Sequence, residues 1–292
     1  MFKYQPEEIG QALLDKDYEG VYGQLSGDFK QQFTLDTFRD TGNELLKDVT
    51  AWSAMPTLYL NELRYTAWID QSGSVGLRLG TLPDDEIVAL QVVRLENFPA
   101  QDAVKTKHEY ALPLKSEWFV FWGGENALSN YHYDYEMQRY AYDLIQVRDG
   151  CSYNGDPAKN ESYYAFGQEI VAPRDGTVVE AVSDIEDNEP VGTMNADQPI
   201  GNVVVLDHGA GEYSFLAHLK KGSVAVGVGD AVKKGELLGL CGNSGNSSEA
   251  HLHFQVSDSP DLFKGKSIRI AWENDLNPQQ GDTLNSRIGE NK

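Results

Sequence analysis

Residues 6–47 carry apolar positions at helical spacing. Pro6 suits a first helical turn, and Thr34 stands where a helix N-cap is expected. The apolar stripes are Ile9, Leu13 and Leu14, and then Leu35, Phe38, Leu45 and Leu46. This pattern predicts at least two amphipathic helices at the start of the chain.

The segment that follows is rich in β-type residues. Its runs, Leu58–Asp70, Ser74–Gly80 and Glu86–Leu95, are separated by turns that contain Gly or Pro. Helices followed by an antiparallel meander predict a small N-terminal α+β domain, which we assign to residues 1–112. It holds one histidine, His108, and neither a paired acid cluster nor a Gly-rich phosphate loop. We therefore expect this domain to position the protein or bind a partner, and not to catalyse a reaction.

Residues 113–276 alternate short strands with glycine turns. The predicted strands are Trp118–Trp122, Tyr140–Val147, Gly176–Val182, Asn202–Asp207, Tyr213–Leu219, Leu237–Leu240 and Leu252–Val256. Strands at this spacing without long helices predict an all-β antiparallel sandwich or open barrel. Two polar segments, Gly150–Gly167 and Ser183–Gly201, are expected to be loops that wall a cleft. Residues 277–292 are polar, which predicts a flexible tail.

Composition and charge narrow the class of partner. A formal net charge of −21 argues against nucleic acid or an anionic membrane. The two cysteines, Cys151 and Cys241, form no zinc-type pair, and either a single disulfide or two thiols fits them. No apolar window is long enough to span a bilayer, and the first residues do not resemble a signal peptide. Either the protein is cytoplasmic or an export leader is missing from this chain.

The run from His251 to Phe254 contains two histidines at strand spacing. Residues i and i+2 share a face of a strand, so His251 and His253 project side by side, roughly 6 to 7 Å apart. That separation lets one imidazole bind a metal while the other reaches a substrate. His132, Asp143 and His218 offer further nitrogen and oxygen ligands, and three such ligands with an open position are typical of catalytic zinc. The sequence predicts a metal hydrolase.

Several further motifs lie in order along the same region. They are the 171–178 run VAPRDGTV, the 201–209 run GNVVVLDHG, the 213–219 run YSFLAHL, the 228–235 run VGDAVKKG, the 242–247 run GNSGNS and the 251–254 run HLHF. Together they resemble the M23 (LytM/lysostaphin-type) zinc metallopeptidases over residues 130–257. The glycines of the 242–247 run are expected to permit a tight turn that delivers the His251–His253 strand.

The resemblance implies a set of site residues. Relatives bind zinc through a His-x-x-x-Asp pair and the second His of His-x-His, which makes Asp143 and His253 metal ligands and His218 and His251 the catalytic pair. Here Arg139 stands four residues before Asp143, and a guanidinium offers no lone pair. We therefore predict that His132 is the third ligand, returned to Asp143 by a strand–turn–strand. The alternative is that Asp143 is a buried acid paired with Arg139. His108 and His208 are interpreted as structural.

The function implied is that of a zinc-dependent endopeptidase that hydrolyses peptide bonds in bacterial cell-wall peptidoglycan. Its cofactor would be Zn2+, its partner the peptidoglycan peptide, and its location extracellular or in the cell envelope. The alternative is a non-catalytic binding module that regulates or anchors another cell-wall hydrolase, because such relatives lose zinc ligands. The resemblance does not indicate which peptidoglycan bond is cut.

Overall fold

The computed structural model describes residues 4–285 and divides into two compact units, residues 1–97 and 98–292. The division lies before the predicted boundary at 112/113, because Lys105–Tyr110 is a strand that pairs with a strand of the second unit. Residues 286–292 of the predicted tail lie outside the described residues. Its earlier part includes a strand, Thr283–Asn285, which pairs with Glu117–Trp122.

The first unit begins with short helices, as the apolar stripes predict. After a 3-10 turn at Pro6–Glu8 they are α1 (Ile9–Leu14), α2 (Tyr18–Gly23), α3 (Gly27–Gln32) and α4 (Leu35–Leu45). The side chain of Thr34 accepts a hydrogen bond from the backbone N–H of Thr37, which confirms its predicted role as N-cap of α4.

An antiparallel sheet completes the first unit. Its strands are β1 (Trp52–Ala54), β2 (Leu58–Leu60), β3 (Leu63–Asp70), β4 (Val75–Thr81) and β5 (Ile87–Arg94). The order is β1-β3-β4-β5, with β2 also paired to β3. Leu77 and Leu79 on β4 are fully buried and pack in one cluster with Ile9 and Phe38 from the helices. The predicted α+β class is therefore confirmed for this unit.

The second unit is built almost entirely of strands, after the short helix α5 (Pro99–Asp102). The strands are β6 (Lys105–Tyr110), β7 (Glu117–Trp122), β8 (Tyr142–Ile145), β9 (Glu169–Val171), β10 (Gly176–Val182), β11 (Asn202–Asp207), β12 (Tyr213–Leu219), β13 (Ala231–Val232), β14 (Leu237–Leu240), β15 (Leu252–Ser257), β16 (Ser267–Trp272) and β17 (Thr283–Asn285). Every predicted strand of this region is present.

Pairing in the second unit is antiparallel with one exception. A ten-stranded sheet runs β13-β10-β11-β12-β15-β8-β7-β17, with β16 beside β15 and β6 beside β16, and β14 pairs with β9 in a smaller sheet. Among the strands of residues 98–285, β6 and β16 are the pair that runs in parallel. The predicted all-β antiparallel class is confirmed. The centre of the large sheet, β12-β15-β8, carries the residues that the sequence assigned to a site.

Two further predictions concern the chemistry of the chain. Cys151 and Cys241 are free thiols, so the structure favours the unpaired alternative. Within residues 4–285 no helix combines the length and the apolar character that crossing a bilayer requires.

Glu212 fastens β6 to the turn between β11 and β12. Its buried carboxylate accepts hydrogen bonds from the backbone N–H groups of Lys107 and His108 and from the hydroxyl of Tyr110. Because three donors converge on one acceptor group, its removal leaves them without a partner in a buried place.

We expect Glu212→Ala to lower the free energy of unfolding by about 2–3 kcal/mol, since buried donors lose a charged acceptor. Urea unfolding followed by tryptophan fluorescence measures the change. Glu117→Ala, at an exposed position of β7, is the matched control and should stay within roughly 0.5 kcal/mol of the wild type. Equal stability of the two variants would show that Glu212 does not hold β6.

Candidate metal centre

Strand register brings Asp143 and His253 together. His253 on β15 lies directly opposite Asp143 on β8 and Ala217 on β12, so the three residues form one row across the sheet. His253 Nδ1 is 3.0 Å from Asp143 Oδ1. His251, two residues earlier and on the same side, places its Nε2 3.6 Å from the same oxygen. The strand spacing thus predicted correctly that the two imidazoles share a face.

His132 reaches the same carboxylate from a loop. We expected a strand–turn–strand, but His132 lies in a 3-10 helix, Tyr131–Asp134, within the connection between β7 and β8. Its Nε2 is 3.5 Å from Asp143 Oδ2. One ligand atom from each of His132, Asp143 and His253 lies within 4.8 Å of the others. The structure therefore brings together the three residues predicted as metal ligands.

Asn130 holds this loop in place. Its amide nitrogen donates to the carbonyl oxygens of Gly124, Arg139 and Ala141, and its Oδ1 accepts from the backbone N–H of His132. The same Oδ1 is 2.9 Å from His132 Nδ1. Because the amide nitrogen is committed to carbonyl oxygens, Oδ1 faces the ring and His132 Nδ1 must carry the proton. Nε2 then presents a bare lone pair.

The bare nitrogen of His132 points at another acceptor. His132 Nε2 is one of only three buried side-chain nitrogen or oxygen atoms within residues 4–285 that have no hydrogen-bond partner. It faces a carboxylate oxygen, and neither atom has a proton to share. Two buried acceptors in such contact are unfavourable unless a cation lies between them. The donor set, two imidazoles and one carboxylate, therefore fits a divalent metal ion.

His253 is oriented by its neighbour two residues along the strand. Its Nε2 is 3.1 Å from Gln255 Oε1, while the amide nitrogen of Gln255 donates to the carbonyl oxygen of Met137. Gln255 Oε1 is therefore an acceptor, which fixes the proton of His253 on Nε2 and turns Nδ1 towards Asp143 as a potential ligand. Such hydrogen bonds to the distal nitrogen commonly orient metal-binding histidines.

The ionisation of the cluster follows from burial and mutual charge. Burial lowers the pKa of His132 to about 3, so its imidazole is neutral. Burial alone would raise the pKa of Asp143, but His132, His251 and His253 together hold that pKa well below its usual range. Burial opposes protonation of His253, but its hydrogen bonds to Asp143 and Gln255 and the charge of Asp143 raise its pKa, which favours a proton on Nδ1 as well as on Nε2. A metal ion binds the carboxylate and the neutral imidazole, so it would take the place of the Nδ1 proton while Nε2–H stays on Gln255.

His218 enters the site through a distortion of β12. Pairing of β11 with β12 shifts register between Asn202 and Val204, and His218 has a φ of 60°, in the left-handed region. A bulge of this kind re-aims a side chain, and the strained backbone is a common feature of functional sites. The ring centroid of His218 is 4.7 Å from that of His251 and 5.8 Å from that of His253.

The tautomer of His218 is fixed by the loop of residues 242–247. His218 Nδ1 is 2.8 Å from the carbonyl oxygen of Ser244, so Nδ1 carries the proton and Nε2 has the lone pair. Burial lowers the pKa of His218 well below its usual value, and the nearby His251 adds to this effect. The loop approaches β11 closely, since a Cβ at Gly201 would lie 2.4 Å from the Ser244 oxygen. Gly201, which precedes β11, thus allows the Ser244 carbonyl to come close, and the same carbonyl oxygen contacts His218.

Arg139 takes no part in this cluster. Its Nε donates to the carbonyl oxygen of Tyr133, and its guanidinium carbon lies 3.4 Å from the centre of the Phe98 ring. Within residues 4–285 no ion pair joins Arg139 to Asp143. The alternative that Asp143 is a buried acid paired with Arg139 is therefore wrong.

The remaining histidines lie elsewhere. His208 Nδ1 contacts the carbonyl oxygen of Asp175, and its Nε2 contacts Ser214 Oγ, as expected for a structural residue. His108 is on β6, in the second unit and not in the N-terminal one.

A small cavity of about 70 Å³ opens beside His218 and His253. Tyr131 and Phe263, both exposed aromatic residues, are among its lining residues, together with Pro199 and Ile200. An apolar rim next to a polar cluster is typical of a site that holds an organic ligand against reactive groups.

Sequence reasoning missed Asn130, Gln255, Glu249 and the backbone of Ser244 as supporting residues. Gln255 could have been found, because the period-2 pattern places it on the same strand face as His253. Asn130 carries an N-cap signal two residues before His132.

Glu249 supports His251 through its backbone. Its carbonyl oxygen is 2.8 Å from His251 Nδ1, which leaves His251 Nε2 free to face the cluster. Burial raises the pKa of the Glu249 carboxyl to about 7, and a hydrogen bond from Ser152 opposes this only in part.

Comparisons with known proteins relate part of this chain to a family of peptidases. Residues 162–269 match the sequence model of Peptidase family M23, which confirms the resemblance inferred from the motifs. The matched segment contains His218, His251 and His253, whereas His132 and Asp143 precede it.

Two curated relatives are named as uncharacterized metalloproteases. The one from Buchnera aphidicola subsp. Baizongia pistaciae is 33% identical over 69 residues, covering 24% of this chain and 18% of the relative. The one from Haemophilus influenzae is 36% identical over 89 residues, covering 30% of this chain and 16% of the relative. The chain thus spans less than a fifth of the length of these relatives.

Similar solved structures include an antimicrobial peptidase and a putative endopeptidase. The catalytic domain of lysostaphin from Staphylococcus simulans is 22% identical, with 59% of this chain and 95% of that chain covered and a TM-score of 0.29. A putative glycyl-glycine endopeptidase LytM from Ruminococcus gnavus is 21% identical, with 48% and 47% covered and a TM-score of 0.31.

The raised pKa of Glu249 predicts a pH-dependent cost to stability. A carboxyl whose folded pKa of about 7 exceeds its unfolded value is not penalised at low pH, when it is protonated in both states. The penalty grows as the pH rises from the unfolded pKa through about 7 and is complete above it. Glu249→Gln keeps the neutral shape, so we expect it to stabilise the protein by roughly 2 kcal/mol at pH 8.5 and by little at pH 5.

Urea unfolding of the metal-free protein at the two pH values measures this difference. Glu161→Gln, at an exposed position, is the control and should change stability equally at both. A Glu249→Gln effect independent of pH would contradict the assigned pKa direction.

Proposed function

We propose that the chain is a zinc-dependent endopeptidase that hydrolyses peptide bonds in bacterial cell-wall peptidoglycan. The observation that carries the proposal is the bare, buried Nε2 of His132 facing the Asp143 carboxylate, with His253 beside both. The match of residues 162–269 to Peptidase family M23 supports it, as do the metalloprotease names of the curated relatives.

His132 Nε2, an oxygen of Asp143 and His253 Nδ1 would hold the metal. Zinc bound by these atoms would lower the pKa of a water molecule towards neutrality and polarise a peptide carbonyl group. Asn130 and Gln255 keep the two imidazoles in the tautomers that direct lone pairs inwards.

His218 and His251 are proposed as the catalytic pair. Each donates Nδ1–H to a backbone carbonyl oxygen, of Ser244 and Glu249 respectively, so each directs Nε2 towards the cluster. A neutral Nε2 can accept a proton from an attacking water, and the resulting imidazolium can donate it to the leaving amine or stabilise the oxyanion. Burial lowers the pKa of His218, so its imidazole is neutral and can accept a proton.

Substrate and location are part of the same proposal. The cavity beside His218 and His253 has room for only a small side chain, which suits a peptide of small residues. A peptidoglycan substrate requires the protein to act in the cell envelope or outside the cell. The net charge of −21 makes nucleic acid an unfavourable partner. We propose that the N-terminal unit is an accessory that binds a partner or positions the enzyme.

The alternative, a non-catalytic module that regulates or anchors another cell-wall hydrolase, gains little support. That alternative was motivated by Arg139, which stands where the resemblance predicts a zinc-binding histidine. His132 supplies a nitrogen atom near Asp143 instead. A scaffold has no need for four imidazoles with aligned tautomers around one carboxylate.

We expect the purified protein to bind about one zinc ion per chain, because three protein ligands suffice for a catalytic site. His132→Ala, Asp143→Ala and His253→Ala should each abolish tight binding, while Asn130→Ala should weaken it by about ten- to a hundredfold. Zinc content by mass spectrometry and competition with a chelating dye measure both effects. His208→Ala is the matched control and should bind as the wild type does. Tight binding by His132→Ala would contradict the ligand assignment.

His218→Ala and His251→Ala should keep zinc yet lose on the order of a hundredfold in cleavage rate, the usual scale for acid–base or oxyanion groups. Release of free amino groups from purified peptidoglycan measures the rate, again with His208→Ala as control. If the zinc-loaded wild type bound peptidoglycan without releasing amines, the binding-module alternative would be correct.

A further inference from the structure

A second cavity, separate from the cluster of imidazoles, lies in the same unit beside Arg139. It has a volume of about 290 Å³, and its lining includes Arg139, Lys266, Ser267 and Glu136. Ala100, Val104 and Ile268 add an apolar wall. The metal-centre residues His132, Asp143 and His253 are not among its lining residues.

Arg139 is the unusual group in this cavity. Arg139 is 5% exposed as a whole residue. Its guanidinium carbon lies 3.4 Å from the centre of the Phe98 ring. Nε donates to the carbonyl oxygen of Tyr133. Within residues 4–285 the two terminal amines have no hydrogen-bond acceptor and no carboxylate in an ion pair. The guanidinium is thus held rigidly, and the four N–H donors of its terminal amines, which are not among the buried atoms without a partner, are open to a ligand in the cavity.

Such an arrangement is preorganised for an anion. Arginine presents its terminal N–H groups as a planar fork. The stacking on Phe98 and the bond to Tyr133 fix the orientation of this fork, so little side-chain freedom is lost when a ligand binds. A planar anion with two oxygen atoms would satisfy both amines at once.

The nearby carboxylates are already engaged. Glu136 pairs with Lys266 at 2.9 Å, and Asp102 accepts hydrogen bonds from the hydroxyl groups of Tyr133 and Tyr140. Ser267 Oγ accepts from the backbone N–H of Tyr140, which leaves its own hydroxyl proton free to donate. The charged lining residues are Arg139, Lys266 and Glu136, so the cavity has a net positive charge. The chain as a whole has a net charge of −21.

We propose that the Arg139 cavity binds the carboxylate of a small apolar acid, as found at the C-terminus of a short peptide. The carboxylate meets the two terminal amines of Arg139 and the hydroxyl of Ser267. The adjoining apolar group rests on Val104 and Ile268. A volume of about 290 Å³ accommodates one or two small residues and excludes a folded chain. This site does not depend on the peptidase function, because His132, Asp143 and His253 are not among the residues that line it.

Calorimetric titration of the full-length protein with N-acetyl-alanyl-alanine tests the proposal, with the same peptide amidated at its C-terminus as the neutral comparison. We expect saturable binding of the acid with a Kd of about 1 mM or tighter. The amide should bind at least tenfold more weakly, because it lacks the charge that pairs with Arg139. Inorganic phosphate is titrated in parallel, and tighter binding of phosphate than of the peptide acid would overturn the assigned ligand class.

Variants separate the cavity from the metal centre. Arg139→Gln should weaken binding of the acid at least tenfold, and Val104→Trp should do the same by filling the cavity from an exposed position while leaving Arg139 intact. Val228→Trp, at another exposed valine, is the matched control and should bind normally. His253→Ala should also bind normally, so loss of the zinc site does not imitate loss of this one.

Four results would overturn the proposal. They are tighter binding of phosphate than of the peptide acid, equal affinity for the acid and the amide, unchanged affinity in Val104→Trp, and loss of affinity in His253→Ala. Val104→Trp keeps the test decisive even where Arg139→Gln fails to fold.

Discussion

A buried carboxylate faced by nitrogen atoms is the constraint on which the centre of the second unit depends. Asp143 lies in the middle of the ten-stranded sheet, where an ionised group requires compensation. Three histidines direct nitrogen atoms at it, and two of these, His132 and His251, have committed their protons to acceptors on the far side of the ring. Backbone carbonyls and the amides of Asn130 and Gln255 thus determine the charge state at the centre. The strands, the bulge at His218 and the loop of residues 242–247 all serve to place these groups.

Much of the fold follows from local patterns. Strands β7, β8, β10, β11, β12, β14 and β15 alternate or concentrate apolar residues, and each was predicted from that signal. Strand β6 was missed because KTKHEY places only Thr106 and Tyr110 inward and reads as a charged linker. Strands β9 and β13 are too short to carry a period. Strand β16, by contrast, has an alternating pattern in SIRIAW that could have been recognised, and its pairing with β6 moves the unit boundary to 97/98.

The site residues also fall into two groups, those that the sequence could predict and those that it could not. His251 and His253 follow from strand periodicity, and Asp143, His218 and His253 follow from motifs, so that part was predictable. The approach of His132 was inferred by elimination, but its route depends on a 3-10 turn and on three hydrogen bonds from one asparagine. The spacing of apolar and polar residues does not predict the course of this loop. Arg139 illustrates the opposite case: the sequence shows that it cannot bind metal, whereas only the packing on Phe98 shows what it does instead.

The hold of Asn130 on its loop has a consequence for how the protein acquires its metal. The loop is closed by bonds among its own backbone carbonyls and one side chain, so His132 is in place before any ion arrives. Binding then carries no cost of ordering a segment, in contrast to small domains that fold only around their metal. Metal content of such a preorganised site follows the free concentration of the ion. In a site held by its own hydrogen bonds, exchange of a bound ion would not require the sheet to unfold.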